Sequence, residues 1–402
     1  MPAKRKAADD TDEAPRPAPP DHLPVRPVYL DHQATTPVDP RVVEAMLPYL
    51  LTEFGNPSSS HAYGRAAAEA VARARTQVAA LIGATPEEIV FTASGTESNQ
   101  LALVGTALAR RAADGGDHVV TSVLDHPATL EACARLERDG FRVTRVPVGP
   151  DGLVDPREVA RAAGPGTALV SVMHANNEIG TVQPLAGIAR AIEGRGITLH
   201  TDAAQSLATV VTDVTELGVD LLSIVGHKMY APKGVGALYV RAGTPRPVPL
   251  LSGGGQEHGL RAGTENVAGI VALGAAAELA LKERESDAAR IRGLSDLLLS
   301  LLTEAIPGLR LNGSWEHRLA GNLSLTLPAT GAAALAAAVP EVAFSAGAAC
   351  HTDADLPSPV LTAIGLSAAQ AARTVRLGLG RYTGENDVRR AAQALVRGAH
   401  IA

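Results

Sequence analysis

The sequence has few of the residues that mark secreted or membrane proteins. Its two cysteines, Cys133 and Cys350, are too few for a disulfide framework, which indicates a reducing compartment. No apolar run approaches the roughly 20 residues of a membrane span, and no apolar segment of a secretory signal is visible. The net charge of −6 argues against a dedicated nucleic-acid binder. We therefore expect a cytoplasmic protein with no membrane or nucleic-acid partner.

Lysine is also scarce, with only five among the 36 basic residues. A GC-rich genome, whose codons favour arginine over lysine, explains this bias. It makes each remaining lysine more informative, since some chemistry needs an amine that can lose its proton. Lys4 and Lys6 lie near the N-terminus, and Lys282 lies among glutamates of a helical pattern. Of the other two, Lys228 and Lys233, only Lys228 directly follows a buried-looking strand.

The composition is that of a globular protein, with 402 residues of which 46% are hydrophobic and 19% charged. Residues 1–27 combine a short basic run with many prolines, and we expect a flexible tail there. A large domain is expected over 28–274 and a smaller C-terminal domain over 275–402. The first residues of the large domain are expected to pack with the small one.

From residue 28 onward, apolar runs of strand length alternate with alanine-rich helical stretches. This alternation predicts an α/β fold with a mainly parallel sheet covered on both faces. The predicted strands are 88–92, 118–122, 142–146, 168–173, 198–201 and 221–225. The predicted helices are 66–81, 100–111, 128–139, 156–163 and 185–193, followed by a connecting helix over 275–305 and a C-terminal helix near 385–397.

Three polar clusters follow predicted strands, where ligands bind in open α/β sheets. Residues 93–99 offer Gly95 for close backbone approach, the Thr96 hydroxyl and a helix start, which suits a phosphate; an ordinary helix cap explains the same residues. Asp202 is either another helix cap or a carboxylate that keeps a ring nitrogen protonated. Lys228 ends the third cluster, at 223–228, where a solvated surface lysine is the alternative.

Together these clusters suggest a pyridoxal 5′-phosphate (PLP) site. Its chemistry needs a lysine that forms a Schiff base, an acid for the ring nitrogen and a cradle for the phosphate. Lys228, Asp202 and residues 95–96 supply one of each.

The sequence resembles the cysteine desulfurase and selenocysteine lyase family, whose members share the class V aminotransferase fold. The resemblance implies a PLP-dependent transferase fold (fold type I), with a large mainly parallel-sheet domain and a smaller α+β C-terminal domain. The matching stretches occur in family order and span nearly everything after residue 27. They are 29–42 (YLDHQATTPVDPRV), 54–65, 91–99, 125–133, 174–184, 200–206, 226–241 (GHKMYAPKGVGALYVR), 253–266, 345–353 and 375–383.

The resemblance also implies roles around the cofactor. Lys228 carries PLP, Asp202 pairs with its ring nitrogen, and Gln205 hydrogen-bonds the ring hydroxyl. His126 stacks on the ring and moves protons, and Asn177 lies near both cofactor and substrate. The residues expected to hold the phosphate are Gly95, Thr96 and His227, with Thr264 contributed by the second subunit of a homodimer.

For the substrate, the resemblance implies that Arg376 grips the carboxylate in a bidentate fork and that Cys350 is the nucleophile that receives sulfur. Ordinary structural roles remain open for several residues. His126 precedes a proline and is suited to cap a helix, and Asn177 lies in a polar, turn-forming loop. Arg376 lies in an apolar run, where an unpartnered arginine would be costly, which favours function. Cys133 lies on an apolar helical face and is expected to be inert core packing.

The expected reaction converts L-cysteine to L-alanine and leaves a persulfide on Cys350, with PLP as cofactor and no metal. Selenocysteine lyase activity is the alternative, because VGHK at 225–228 and the residues around Cys350 resemble such lyases. Val225 and the pair His32 and Gln33 depart from the desulfurase pattern. A class V aminotransferase and a non-catalytic sulfur-relay scaffold are further alternatives. The sulfur acceptor is a protein that the sequence does not name; iron–sulfur cluster assembly is one of several candidate pathways.

Overall fold

The computed structural model describes residues 26–346 and 357–401 of the chain. The expected flexible tail lies almost wholly outside these residues. The strands are β1 Val28–Tyr29, β2 Ile89–Thr92, β3 His118–Ser122, β4 Arg142–Val146, β5 Thr167–Ser171, β6 Thr198–Asp202, β7 Leu221–Val225, β8 Gly236–Val240, β9 Arg310–Leu311, β10 Asn322–Thr326, β11 Val342–Ala343, β12 Ser345–Ala346 and β13 Thr374–Gly378.

The helices lie between these strands and after them. They are α1 Pro40–Met46, α2 Pro48–Leu51, α3 Ala62–Leu81, α4 Gly95–Gln100, α5 Thr106–Asp114, α6 Pro127–Arg138, α7 Pro156–Ala162, α8 Leu185–Ile192, α9 Val214–Leu217, α10 Val267–Ala305, α11 Ala332–Ala338, α12 Pro359–Ala363, α13 Ala368–Ala371 and α14 Glu385–Ile401. Among the helices described, none is both long and apolar enough to span a bilayer.

The largest sheet has the strand order β2-β8-β7-β6-β5-β3-β4. All its neighbouring pairs are parallel except those of β8, which runs antiparallel to β2 and β7. Strands β3, β5, β6 and β7 are buried along their whole length, as apolar runs covered on both faces should be. The predicted α/β fold with a mainly parallel sheet is therefore confirmed. The antiparallel β8 is absent from the predicted strands.

A second sheet is antiparallel throughout, with the order β12-β13-β10-β9. The N-terminal strand β1 does not join either large sheet. It pairs in parallel with β11, late in the chain. This pairing places the segment after β1 beside the strand β13, which carries Arg376.

Helix α10 contacts both halves of the molecule. Its first turns bury Ile270, Leu273 and Ala277 in the core of the large sheet. Its later turns bury Ile291 and Leu298 in the core of the second sheet. The helix begins at Val267, eight residues before the predicted start, because the Asn266 side chain accepts from the backbone N–H of Gly269. The division of the chain after residue 274 stays a prediction, and it falls inside this helix.

Candidate active site

Lys228 lies at the carboxyl end of β7, in the short helical turn Gly226–Lys228. Its Nζ donates hydrogen bonds to the carbonyl oxygens of Gln33 at 2.5 Å and Ala34 at 2.8 Å. The amine is therefore half-buried beneath the segment that follows β1, rather than solvated on the surface. The predicted surface alternative for this lysine is thus not what the structure shows.

Asp202 ends the neighbouring strand β6 and is buried. One of its carboxylate oxygens accepts from Asn99 Nδ2 at 2.7 Å, and the other accepts from the backbone N–H of Ala204 at 2.9 Å. The second bond resembles a helix cap, which was the alternative role expected for Asp202. The first is a contact with a residue from another element, so the carboxylate is oriented from two sides. Asn99 was not singled out from the sequence, although it lies in the same cluster as Gly95.

Residues 31–36 form a covering segment over the site. The Gln33 carbonyl oxygen accepts from Gln205 Nε2 at 3.0 Å as well as from Lys228, which brings these two side chains together at one atom. Thr36 Oγ1 donates to the His227 carbonyl oxygen and accepts from the N–H of Tyr230. The sequence reasoning assigned no role to these contacts. The available signal was a run of polar residues directly after a short strand.

The proposed phosphate cradle begins at Gly95, the first residue of α4. A Cβ atom on Gly95 would lie 2.3 Å from Val225 Cγ2, so the close packing of these two segments requires glycine. Thr96 is exposed beside it. His227 Nδ1 contacts Thr35 Oγ1 at 3.0 Å. Burial, with the charges of Lys228 and Lys233, lowers the pKa of His227 to about 4, so its imidazole is neutral near pH 7.

His126 is the N-cap of α6, and its Nδ1 accepts from the backbone N–H of Ala128 at 3.1 Å. The helix-capping alternative is therefore observed. It is compatible with a second role, because an Nδ1 that accepts leaves the proton of a neutral ring on Nε2. The preceding Asp125 is buried and accepts from the backbone N–H groups of Ser122 and Met173, which orients this loop. The stacking role of His126 stays a prediction.

Arg376 lies on β13 and is 6% exposed. It reaches toward the large sheet, where its Nη1 donates to the Asn177 carbonyl oxygen at 3.0 Å. Its Nη2 forms an ion pair with Asp31 at 2.8 Å and donates to Ser345 Oγ at 2.7 Å. Asn177 is itself buried, and it contacts Arg376 through its backbone. The partners Asp31 and Ser345 were missed from the sequence, because they lie far from Arg376 along the chain.

Of the two cysteines, only Cys133 lies among the described residues. Cys133 is fully buried inside α6 among apolar residues, and burial raises the pKa of its thiol to about 12. A thiol that stays protonated and inaccessible is inert, as the apolar helical pattern predicted. Cys350 lies outside the described residues. Thr264 is described, and it is exposed in the isolated chain.

The chemistry of these groups fits PLP. Lys228 and Gln205 meet at the Gln33 carbonyl oxygen, and Asp202 accepts from Asn99 of α4, the helix that begins at Gly95. The groups so gathered are the amine of Lys228, the buried carboxylate of Asp202, the amide of Gln205, and the neutral ring of His227 with the glycine turn at Gly95. They are the donor types that bind an aldehyde carbon, a ring nitrogen, a ring hydroxyl and a phosphate, respectively. Asp202 ends β6 and Lys228 lies in the turn directly after the parallel neighbour β7, at the edge of the sheet where this fold class binds ligands.

Comparisons with known proteins agree with this chemistry. The model of the family described as Aminotransferase class-V matches residues 28–391. A relative described as cysteine desulfurase IscS, from Anaeromyxobacter dehalogenans (strain 2CP-C), is 49% identical over 365 residues, which is 90% of each chain.

Solved structures resemble most of the chain. One described as a NIFS-like protein has a TM-score of 0.86 at 34% identity, over 92% of this chain and 98% of its own. Another, described as SspA in complex with cysteine, has a TM-score of 0.78 at 38% identity, over 89% of this chain and 99% of its own.

Proposed function

This chain belongs to the class V aminotransferase family and, within it, to the cysteine desulfurases; from that premise we propose that it is a PLP-dependent enzyme that converts L-cysteine to L-alanine. We propose further that Cys350 receives the sulfur atom as a persulfide. The relatives described as a cysteine desulfurase and as a complex with cysteine indicate this substrate.

One observation carries the proposal. A half-buried lysine amine and a buried carboxylate end two adjacent strands, and a buried arginine reaches the same edge of the sheet from the second sheet. Burying three ionisable groups at one place is costly unless they are partnered or act on a ligand. An amine, a carboxylate and a guanidinium are what α-amino-acid chemistry on PLP requires.

The residues divide the work as follows. When bound to Lys228, PLP would supply an electron sink for negative charge that develops at the substrate Cα. Asp202 would hold the proton on its ring nitrogen, and Gln205 would donate to its ring hydroxyl. The Lys228 amine is the base that would take the proton from the substrate Cα. Arg376 orients the substrate carboxylate, so that the Cα–H bond faces this amine.

Sulfur transfer needs the second nucleophile. The Cys350 thiolate attacks the sulfur of the substrate, the carbon–sulfur bond breaks, and a sulfur–sulfur bond forms on Cys350. The electron pair of the broken bond stays with the carbon fragment, which leaves as alanine after protons are added at Cβ and at Cα. Cys133 cannot substitute for Cys350 in this step, because its thiol is buried in a helix interior.

Selenocysteine lyase activity is the second candidate, and Val225 favours it, since VGHK resembles such lyases. A selenol is ionised near neutral pH and needs less help from a cysteine. L-selenocysteine would then give L-alanine, and its selenium would leave as selenide once an added thiol reductant supplies the two electrons that this requires. Turnover of selenocysteine that survives Cys350→Ser, while turnover of cysteine is lost, would support this candidate.

A second copy of the chain is the expected partner. The apolar side chains of Leu50, Leu51, Phe54 and Tyr63 are more than half exposed in the isolated chain, which favours a covered face in an oligomer. Thr264 would reach the phosphate of the other subunit. The sulfur acceptor is another protein, and iron–sulfur cluster assembly is one pathway that fits the IscS name of the relatives.

The direct test is mass spectrometry of the protein after incubation with L-cysteine, with alanine measured in parallel. We expect a mass increase of one sulfur atom on Cys350 and release of alanine. Cys350→Ser should retain bound PLP and form no persulfide. Cys133→Ala is the matched control, and it should form persulfide as the wild type does.

Two outcomes would contradict the proposal. Persulfide that persists in Cys350→Ser would remove this cysteine from the reaction. Pyruvate formed in place of alanine would indicate a different lyase reaction.

A further inference from the structure

Arg376 is held by three acceptors from three parts of the chain. They are the Asn177 carbonyl oxygen on Nη1, and Asp31 Oδ1 and Ser345 Oγ on Nη2. The remaining nitrogen, Nε, is buried and has no hydrogen-bond partner among the described residues. An unpaired buried guanidinium N–H is costly. It is therefore a donor that the protein leaves for a ligand.

Asp31, Ser345 and Arg376 form a closed triangle. Ser345 Oγ donates to Asp31 Oδ1 at 2.9 Å, and that same oxygen accepts from Arg376 Nη2 at 2.8 Å. Ser345 is 4% exposed and lies opposite Arg376 in the β12–β13 pair. Asp31 forms a backbone bridge with Gly378, two residues after Arg376. Backbone pairing therefore holds both partners at set distances from the guanidinium.

We propose that Asp31 and Ser345 are positioning residues that orient Arg376 for the substrate carboxylate, an inference that rests on the proposed function. The two residues hold Nη2, so that the guanidinium cannot rotate about its side chain and Nε stays directed away from its protein partners. The substrate carboxylate then accepts from Nε and completes the hydrogen bonding of the buried arginine. This is a single contact rather than the bidentate fork that the resemblance implied, because Asp31 and Ser345 occupy Nη2. Neither residue touches the reacting atoms.

Asp31 also links this arginine to the lysine. It lies two residues before Gln33, whose carbonyl oxygen accepts from Lys228, and Ala34 follows with a second contact. The position of the substrate carboxylate and the position of the amine are therefore set by one short segment. This link explains how Arg376, on the second sheet, can hold the substrate at a fixed position relative to Lys228, on the large sheet.

The inference predicts selectivity for ligands that have a carboxylate. The test uses PLP-loaded protein and follows, by absorbance, the equilibrium binding of L-alanine and of ethylamine, which lacks the carboxylate. Asp31→Ala should weaken L-alanine binding about tenfold, as expected when a buried guanidinium loses a hydrogen-bond acceptor that orients it. Its effect on ethylamine should stay below about twofold. Asp31→Asn keeps an acceptor at the same place and should restore most of the L-alanine affinity.

Glu137→Ala is the control, since Glu137 pairs with a different arginine, Arg145 on β4, at 2.8 Å and near the end of α6 opposite to His126. This variant should leave the ratio of the two affinities unchanged. Ser345→Ala is the second variant, should Asp31→Ala not fold, and about a threefold loss for L-alanine alone is expected. With L-cysteine as substrate, both positioning variants should raise KM and change kcat little.

Three outcomes would overturn the inference. They are equal losses for L-alanine and ethylamine, unchanged affinity in both Asp31→Ala and Ser345→Ala, and an Asp31→Asn protein as impaired as Asp31→Ala. The proposed function fails separately, if the wild type binds PLP and L-alanine but releases no alanine from L-cysteine.

Discussion

The contact between Gly95 and Val225 limits which residue types can stand at these two positions of the candidate phosphate site. The two residues come from different strand ends, and their close contact leaves no room for a methyl group. The Val225 side chain is apolar, so it offers no hydrogen bond to a phosphate. We infer that the backbone of residues 95–96 and the neutral His227 take a larger share of phosphate binding in this protein.

We predict that the single substitution Gly95→Ala lowers the free energy of unfolding by about 1–3 kcal/mol, because the added Cβ overlaps Val225 Cγ2. Loss of bound PLP should accompany it, and Val225→Ala in the same protein should reverse much of both effects. Gly293→Ala is the control, since a Cβ there meets no atom within 4 Å. Denaturant unfolding and the absorbance of bound PLP measure the two effects. A Gly95→Ala protein with wild-type stability and PLP content would show that the contact relaxes easily.

Among the elements, α10 contributes to both hydrophobic cores over its 39 residues. Its early buried residues are small, largely alanine and glycine, and pack closely on α3; its later ones include Ile291 and Leu298, in the second core. An arginine near its middle, Arg284, is buried and donates to the Leu81 carbonyl oxygen at the end of α3. The helix is therefore a rigid connection between the sheet that holds Lys228 and the sheet that holds Arg376.

We predict that Leu298→Ala lowers the free energy of unfolding by about 2–5 kcal/mol, since the side chain is fully buried. Leu281→Ala on the same helix should change it by less than about 0.5 kcal/mol, because Leu281 is 41% exposed. Denaturant titration of both variants gives the comparison. Equal stabilities of the two variants would mean that the second core tolerates the cavity.

Across the whole molecule, the site is built from distant parts of one chain and, by our proposal, from a second chain. The buried Arg381 pairs with Asp39 at 2.8 Å and with Asp287 at 2.9 Å, which joins the N-terminal region, α10 and the segment after β13. Breaking such a buried pair costs much more than a surface pair would. This network and α10 together hold the two sheets in register at the active site.

The dimer proposal predicts complementation between two inactive variants. Lys228→Ala lacks the amine, and Thr264→Glu places a negative charge where a phosphate is expected. If Thr264 acts on the other subunit, mixed dimers contain one site with both native residues, and alanine production should return. Activity of co-expressed, differently tagged variants measures this. No activity in purified mixed dimers would place Thr264 at the site of its own subunit.

Much of the site follows from the sequence alone, because its signals are local. Apolar runs of strand length predict buried parallel strands, and the polar residues directly after them must lie at the carboxyl edge of the sheet. Lys228 and Asp202 are found by this reasoning, as is the Gly95 turn. The inert state of Cys133 follows from the apolar spacing of its helix. Each of these inferences needs only neighbours within one element.

The tertiary structure alone decided the contacts that join distant segments. Asp31 and Arg376 are 345 positions apart, and no periodic pattern links them. The covering segment at 31–36 carries ordinary polar residues, and its carbonyl oxygens, which hold Lys228, have no side-chain signature. The antiparallel β8 likewise depends on where the chain returns to the sheet. Local sequence sets which groups are available for catalysis, and long-range packing sets which of them meet.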